Sequence, residues 1–225
     1  MGYSYAPTAS RVQTGVDRAT LVRRTYGLVF VGVLTTIIGS AFTMTQPGLI
    51  SAVQVHPFIT FICAMAPLFL MQSQARVFPR NVILTLLFTF VMGVYITPFI
   101  MFAGSAAVGE AGVLTFTAFG VLSAYAAVSR RDFSAWGSFF MVGLVVLFVA
   151  MLLNFFVQSV GASLWISALI VVVFSGLLVF DTWRLLRTGT YGPDDYALAA
   201  VNIYLDLFNI FVAVLSLISG NGRRR

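Results

Sequence analysis

The sequence predicts an all-α fold: a polytopic membrane protein built as a bundle of seven transmembrane helices, with the last helix central. Three observations predict it. Hydrophobic residues make up 60% of the chain and charged residues only 9%. The apolar residues fall in long continuous runs, and every basic residue lies between those runs or near a terminus. The excess of 13 basic over 7 acidic side chains would suggest nucleic acid in a soluble protein. Here its distribution reports topology instead, so the expected partner is the lipid bilayer and not nucleic acid.

A membrane-spanning helix needs about 20 mostly apolar residues. Residues 1–25 are polar and Arg-bearing and lack the short apolar core of a cleavable signal peptide, so they read as a cytoplasmic tail. The spans follow at 26–44, 52–71, 82–102, 112–128, 136–157, 162–180 and 197–218, and residues 219–225 form a short basic tail. The connections are short, which makes residues 26–218 one transmembrane domain. The single cysteine, Cys63, lies inside the second span, where a packing role is expected and an intrachain disulfide is impossible.

Charge orients the bundle. Arg11, Arg18, Arg23 and Arg24 precede the first span, and Arg76/Arg80, Arg130/Arg131 and Arg184/Arg187 occupy alternate loops, whereas the intervening loops hold only Glu110. The positive-inside rule places the N-terminus and the Arg-bearing loops in the cytoplasm. Seven crossings then put the terminal "GRRR" outside. Either a tail so late in the chain carries little weight, or the last apolar run re-enters without crossing.

Ionisable residues inside a bilayer cost at least a few kcal/mol and mark function by default. Two acids qualify. Asp181 ends the sixth span in "LLVFDTWRLL", and Asp206 lies inside the seventh in "IYLDLFN". Asn202, Asp206 and Asn209, spaced by four and three, share a helical face that must turn toward protein because lipid offers no hydrogen bonds. That face is why the last helix is expected at the centre. Two carboxylates in a low-dielectric site cannot both ionise cheaply, so the pair forms a proton-sensitive element. An arginine from another helix could latch the ionised form, and Arg76 is nearest by depth. Alternatively, Asp181 meets Arg184 or solvent at the interface, and Asp206 is a hydrogen-bonded packing acid.

Other chemistries fall away. Retinal and pyridoxal Schiff bases need a lysine, and the chain has none. The only histidine, His56, sits beside Pro57 near the outer edge of the second span, far in depth from both acids, so no metallohydrolase cluster forms. "YLDLFN" lacks the glycine of a paired-aspartate intramembrane protease, and neither a phosphate-binding loop nor a nucleophile elbow appears. No enzyme is expected. In "SRRDFS", Asp132 or Ser134 can cap the fifth helix while Arg130 and Arg131 meet anionic headgroups. Asn154 and Ser175 could line a polar path or hydrogen-bond between helices.

"FDTWRL", followed by "IYLDLFNIFVAVLSLISGNGRRR", resembles the C-terminal signature of the transmembrane Bax inhibitor motif family. "SRRDFSAWGSFF" and "GVYITPF" add to the likeness, which runs from the first span to the C-terminus. The resemblance implies a last helix surrounded by six others. It implies further that Asp181 and Asp206 sense protons for a calcium leak, with an arginine at the cytoplasmic end of the second helix, here Arg76, paired to Asp181. Phe180 stands where the family has tyrosine, and Trp183 where it has glutamine.

The expected function is therefore a pH-sensitive calcium leak channel of a bacterial inner membrane, gated by Asp181 and Asp206. Asn202 and Asn209 would line its polar stripe, and calcium would be held only weakly and transiently by the two carboxylates. No other cofactor is expected, and a monomer is compatible with the bundle. The rival reading is a non-conducting regulatory protein, for example a modulator of a membrane-bound protease.

Overall fold

A computed structural model describes residues 15–222. Its elements are α1 (Gly15–Met44), α2 (Pro47–Val55), α3 (Pro57–Ser73), α4 (Arg80–Ala103), α5 (Ser105–Val128), α6 (Ser134–Val157), α7 (Val160–Trp183), a π-helical turn (Arg184–Thr188) and α8 (Tyr196–Gly222). The described residues contain no strand. Helices satisfy every backbone polar group within one segment, which is the requirement hydrocarbon imposes. The outer parts of the expected tails, residues 1–14 and 223–225, lie outside the described residues.

Six helices are long and apolar enough to cross a membrane, and the bent pair α2 and α3 supplies a seventh crossing. The second span is thus not the single helix expected over 52–71, because its two parts meet at 103°. Pro57 is the cause. It has no N–H to donate and it disfavours helical geometry at the residue before it, and His56 accordingly takes φ −125°, ψ 57°. Cys63 is exposed on α3, so it lies on the outer surface of the bundle and not in its packing.

Cross-links between loops fix the two ends of the bundle. Arg76, after α3, bonds to Asp195, before α8; Arg187, after α7, donates to the Ala127 carbonyl at the end of α5. Thr25 of α1 donates to the Tyr196 carbonyl. The start of α1 and the ends of α3, α5 and α7 therefore share one end, and the bent pair must return the chain across the bundle. Helix α8 runs unbroken from that end to the other, where Ser216 meets Ser167 near the start of α7 at 3.0 Å. It crosses, and it does not re-enter.

Helix α8 is the core. Ala199, Ala200, Val201, Ile203, Tyr204 and Leu207 are all buried, which covers nearly every side of the helix. Its chief neighbours are α1, α4, α5 and α7, while α3 packs on α4 and α6 on α7. The large apolar side chains of α6, Phe139, Val145 and Phe156 among them, remain exposed and form a lipid-facing surface. The α1–α4 contact is the most extensive in the bundle. A Cβ at Gly39 would run into the Phe90 carbonyl, and one at Gly93 into the Thr36 carbonyl, so only glycine permits this approach.

Candidate functional site

Both intramembrane acids are buried, Asp206 at 4% exposure and Asp181 at 9%. Asp206 lies ten residues into α8, about 15 Å from its start. Its Oδ2 has no hydrogen-bond partner. Asp181 does not end its helix as expected, because α7 continues to Trp183 and then opens into the π-helical turn, a geometry often found at functional sites. That turn carries Arg184, whose Nη1 donates to Asp181 Oδ1 at 3.4 Å. The Asp181 charge acts on Asp206, so the two carboxylates lie within electrostatic reach of one another.

Tyr191 joins these groups. It is buried in the loop between α7 and α8, its ring lies 5.1 Å from the Arg184 guanidinium, and its hydroxyl accepts a 3.0 Å bond from Asn202 Nδ2. Burial raises the Tyr191 phenol above its ordinary value, and the negative charges of Asp181 and Asp206 raise it further, against the opposing effects of Arg184 and Asn202. Arg184 also covers the Phe180 ring at 5.5 Å. Phe180 and Trp183 pack with Phe133 and Val179.

Arg76 does not reach Asp181. Its Nε donates to Asp195 Oδ1 at 2.7 Å and its Nη2 to Oδ2 at 3.1 Å, a bidentate pair at the loop surface. The physical reason is position: Arg76 follows α3 in an exposed loop facing the start of α8, while Asp181 already has a cation on its own helix. Burial alone would raise the Asp195 carboxyl. The Arg76 hydrogen bond, the backbone N–H of Gly192 and the Arg76 charge outweigh burial and hold it below its ordinary value. In turn Asp195 raises the Arg76 guanidinium, chiefly through the hydrogen bond.

The remaining residues divide. Asn202 is occupied by Tyr191, and Asn209 Nδ2 donates to the Leu205 carbonyl of its own helix at 2.8 Å. Asn154 Nδ2 bonds Ser163 of the adjoining helix at 2.8 Å, and Ser175 is half-buried in α7. Asp132 Oδ1 accepts from the Ser134 N–H at 2.8 Å in the turn leading into α6, but the residue at the N-cap is Phe133, so neither Asp132 nor Ser134 caps the helix as expected. Arg130 and Arg131 are exposed. His56 sits at the α2–α3 bend. No group of three or more His, Cys, Asp or Glu gathers among the described residues.

Sequence reasoning missed Tyr191 and Asp195. A signal for Asp195 exists: it directly precedes an apolar helical run, the position where aspartate serves as a helix cap. Its carbonyl does accept the Ala199 N–H, at 3.0 Å. Tyr191 stands out only as an aromatic in an otherwise polar loop.

Fold and site define a polytopic helical membrane protein that buries one ion-paired and one unpaired carboxylate among its helices. A family model described as inhibitor of apoptosis-promoting Bax1 matches residues 18–224, and the chain belongs to this Bax inhibitor family. It is 30% identical over 218 residues to a membrane protein of Vibrio cholerae, covering 93% of each chain. It is 28% identical over 221 residues to the Modulator of FtsH protease YccA of Escherichia coli, covering 92% of this chain and 95% of that one. It is also 28% identical over 205 residues to Bax inhibitor 1 of Schizosaccharomyces pombe, covering 89% and 76%.

Proposed function

We propose that the protein is a regulatory protein of a bacterial inner membrane, with a cytoplasmic N-terminus, that modulates a membrane-bound protease. The observation that carries this reading is the end-to-end relation to a protein named as a modulator of FtsH protease. The side chains that a conduction path would use are, for the most part, held by structural partners: Asp181 by Arg184, Asn202 by Tyr191, and Asn209 by its own helix. The test is degradation of a membrane substrate by an FtsH-type protease in proteoliposomes, with and without this protein. Modulation that persists in the Asp181→Asn/Asp206→Asn variant supports the reading. Unchanged degradation at saturating protein refutes it.

A second reading, a pH-sensitive calcium leak, is favoured by one observation, the unpartnered Oδ2 of Asp206 within reach of Asp181. Protonation would then uncouple Asp181 from Arg184, and calcium as cargo would meet two carboxylates, fewer than the six to eight oxygens of a tight site. Calcium flux into dye-loaded liposomes from pH 6 to pH 8 tests it. Flux that depends on pH and is altered by both Asp181→Asn and Asp206→Asn supports the channel, and flux no greater than that of empty liposomes removes it.

A further inference from the structure

Among the described residues, carboxylates pair with two arginines, Arg76 with Asp195 and Arg184 with Asp181. Arg130, Arg131 and Arg187 are exposed, belong to neither pair, and converge on one corner of the bundle. Arg187 Nη2 donates to the Ala127 carbonyl at 2.8 Å, which uses one of the five donors of its guanidinium. Arg130 and Arg131 follow Ala127 by three and four residues, so even an extended chain holds them within about 14 Å of it. The one acid of this loop, Asp132, has a carboxylate oxygen engaged by the Ser134 N–H. Three cations thus meet one anion where α5 ends and α6 begins.

Packing fixes the corner and the bilayer borders it. Phe133, 1% exposed in the α5–α6 loop, packs edge-on against Tyr125 of α5, Trp136 of α6 and Trp183 of α7. Tyr125 and Trp136 are themselves exposed, as aromatic side chains are at the edge of the hydrocarbon. Deeper along the same helices the surface is apolar: Val121 on α5 and Phe139 and Val142 on α6 are each at least 64% exposed. They lie within about 12 Å of the helix ends, less than half the roughly 30 Å hydrocarbon core. Helices α5 and α6 both pack on α7 and share no extended interface, so the seam between them is open to lipid.

An exposed arginine at a membrane surface strengthens the hold on an anion only about 5-fold, and a small soluble anion meets nothing else here. A phospholipid with a negative head meets the arginines and the apolar seam in one molecule. A zwitterionic head brings its own cation to the corner and gains less. We propose that the corner where α5, α6 and α7 meet is a binding site for an anionic phospholipid of the leaflet on the arginine-bearing side. The phosphate head meets Arg130, Arg131 and Arg187, and the chains lie along α5 and α6. Arg187, which no sequence pattern places beside the other two, completes the site.

The test uses the full chain in phosphatidylcholine nanodiscs, with acyl-brominated phosphatidylglycerol as a quencher of tryptophan fluorescence. Trp165→Phe/Trp183→Phe leaves Trp136 at the corner, and Trp136→Phe/Trp183→Phe leaves Trp165 toward the opposite end of α7. Half-maximal quenching of Trp136 should need at least about 5-fold less brominated phosphatidylglycerol than brominated phosphatidylcholine, with no such preference at Trp165. The Arg130 and Arg131 side chains make no hydrogen bond or ion pair among the described residues, so Arg130→Gln/Arg131→Gln should abolish the preference at unchanged melting temperature. Arg187→Gln keeps a donor for the Ala127 carbonyl and should weaken the preference about 5-fold. Arg23→Gln/Arg80→Gln removes equal charge from the same end and should leave it intact. Equal quenching of Trp136 by the two lipids, a like preference at Trp165, or a preference that survives in the Arg130/Arg131 or Arg187 variants would overturn the proposal. So would an equal loss in the Arg23/Arg80 variant, or relief of quenching by millimolar inorganic phosphate.

Discussion

Gly93→Ala should loosen the α1–α4 contact, and the size of the effect follows from what surrounds it. The new methyl carbon would run into the Thr36 carbonyl oxygen and lie 2.9 Å from its carbon and 3.0 Å from the Ser40 nitrogen. Carbon contacts normally sit at about 3.5–4.0 Å, and backbone atoms cannot rotate aside, so the helices must part. Two hydrogen bonds bridge the same crossing, Thr36 Oγ1 to the Thr89 carbonyl and Thr97 Oγ1 to Ser40 Oγ, each at 3.0 Å. Overpacking costs about 1–3 kcal/mol, each bond lost adds roughly 1 kcal/mol, and alanine returns about 1 kcal/mol of helix propensity. The net loss is about 3 kcal/mol, or roughly 6–12 °C in melting temperature at about 2–4 °C per kcal/mol. Fluorescence-detected melting in detergent, with size exclusion to confirm folding, measures it. Gly27→Ala, where a Cβ meets nothing within 4 Å, is the control and should be neutral or slightly stabilising. If Gly93→Ala melts with that control, close helix approach is not what the glycine provides.

Asp195 is held below its ordinary value of 3.8, so its contribution to stability is fully present above that value and is lost as pH falls through the folded value. The melting difference between wild type and Asp195→Asn should be constant from pH 8 to about pH 5 and shrink progressively as pH falls below 3.8. Because the Arg76 side chain is 76% exposed, 1 M salt should shrink the difference as well. Tyr191→Phe strands the Asn202 amide and should cost about 1–2 kcal/mol; adding Asn202→Ala should cost little more, as a double-mutant cycle would show. Asp206→Leu removes a buried oxygen without a partner and should raise stability by about 1–3 kcal/mol; a lower melting temperature would mean that the carboxylate is a structural bond-maker after all.

The helices were legible because hydrocarbon leaves a chain few options, and the acid at 206 flanked by Asn202 and Asn209 announced which helix would be central. The break at His56 was legible too, in Pro57, but hydropathy averaged over a window passes through a proline. The partner of Arg76 was not legible. Depth along a span narrows the candidates to one end of the bundle, and at that end Asp181, Asp194 and Asp195 all qualify. Which one an arginine meets depends on how the 189–195 loop folds back, and that depends on Tyr191 being buried beneath Arg184. A side chain in a polar loop gives no periodic signal of burial. The space enclosed by α1, α4, α5 and α8 was illegible for a related reason: its walls are ordinary apolar residues, and it exists because α1 and α5 share no extended interface.

Helix α8 connects the buried acids to the α1–α4 crossing. Tyr204 and Asp206 are two residues apart, about 200° around the helix, so they face different neighbours. Tyr204 meets Thr36 of α1 and Phe88 of α4, whereas Asp206 lies in the field of Asp181 on α7. A closely packed helix responds as a body, and a shift or rotation that suits one face is felt on the other. If the face packed on α1 and α4 feels the carboxylate on the other side, the melting effects of Asp206→Leu and Gly93→Ala should depart from additivity by more than about 0.5 kcal/mol in a double-mutant cycle, and additive effects would show that the two faces of α8 act independently.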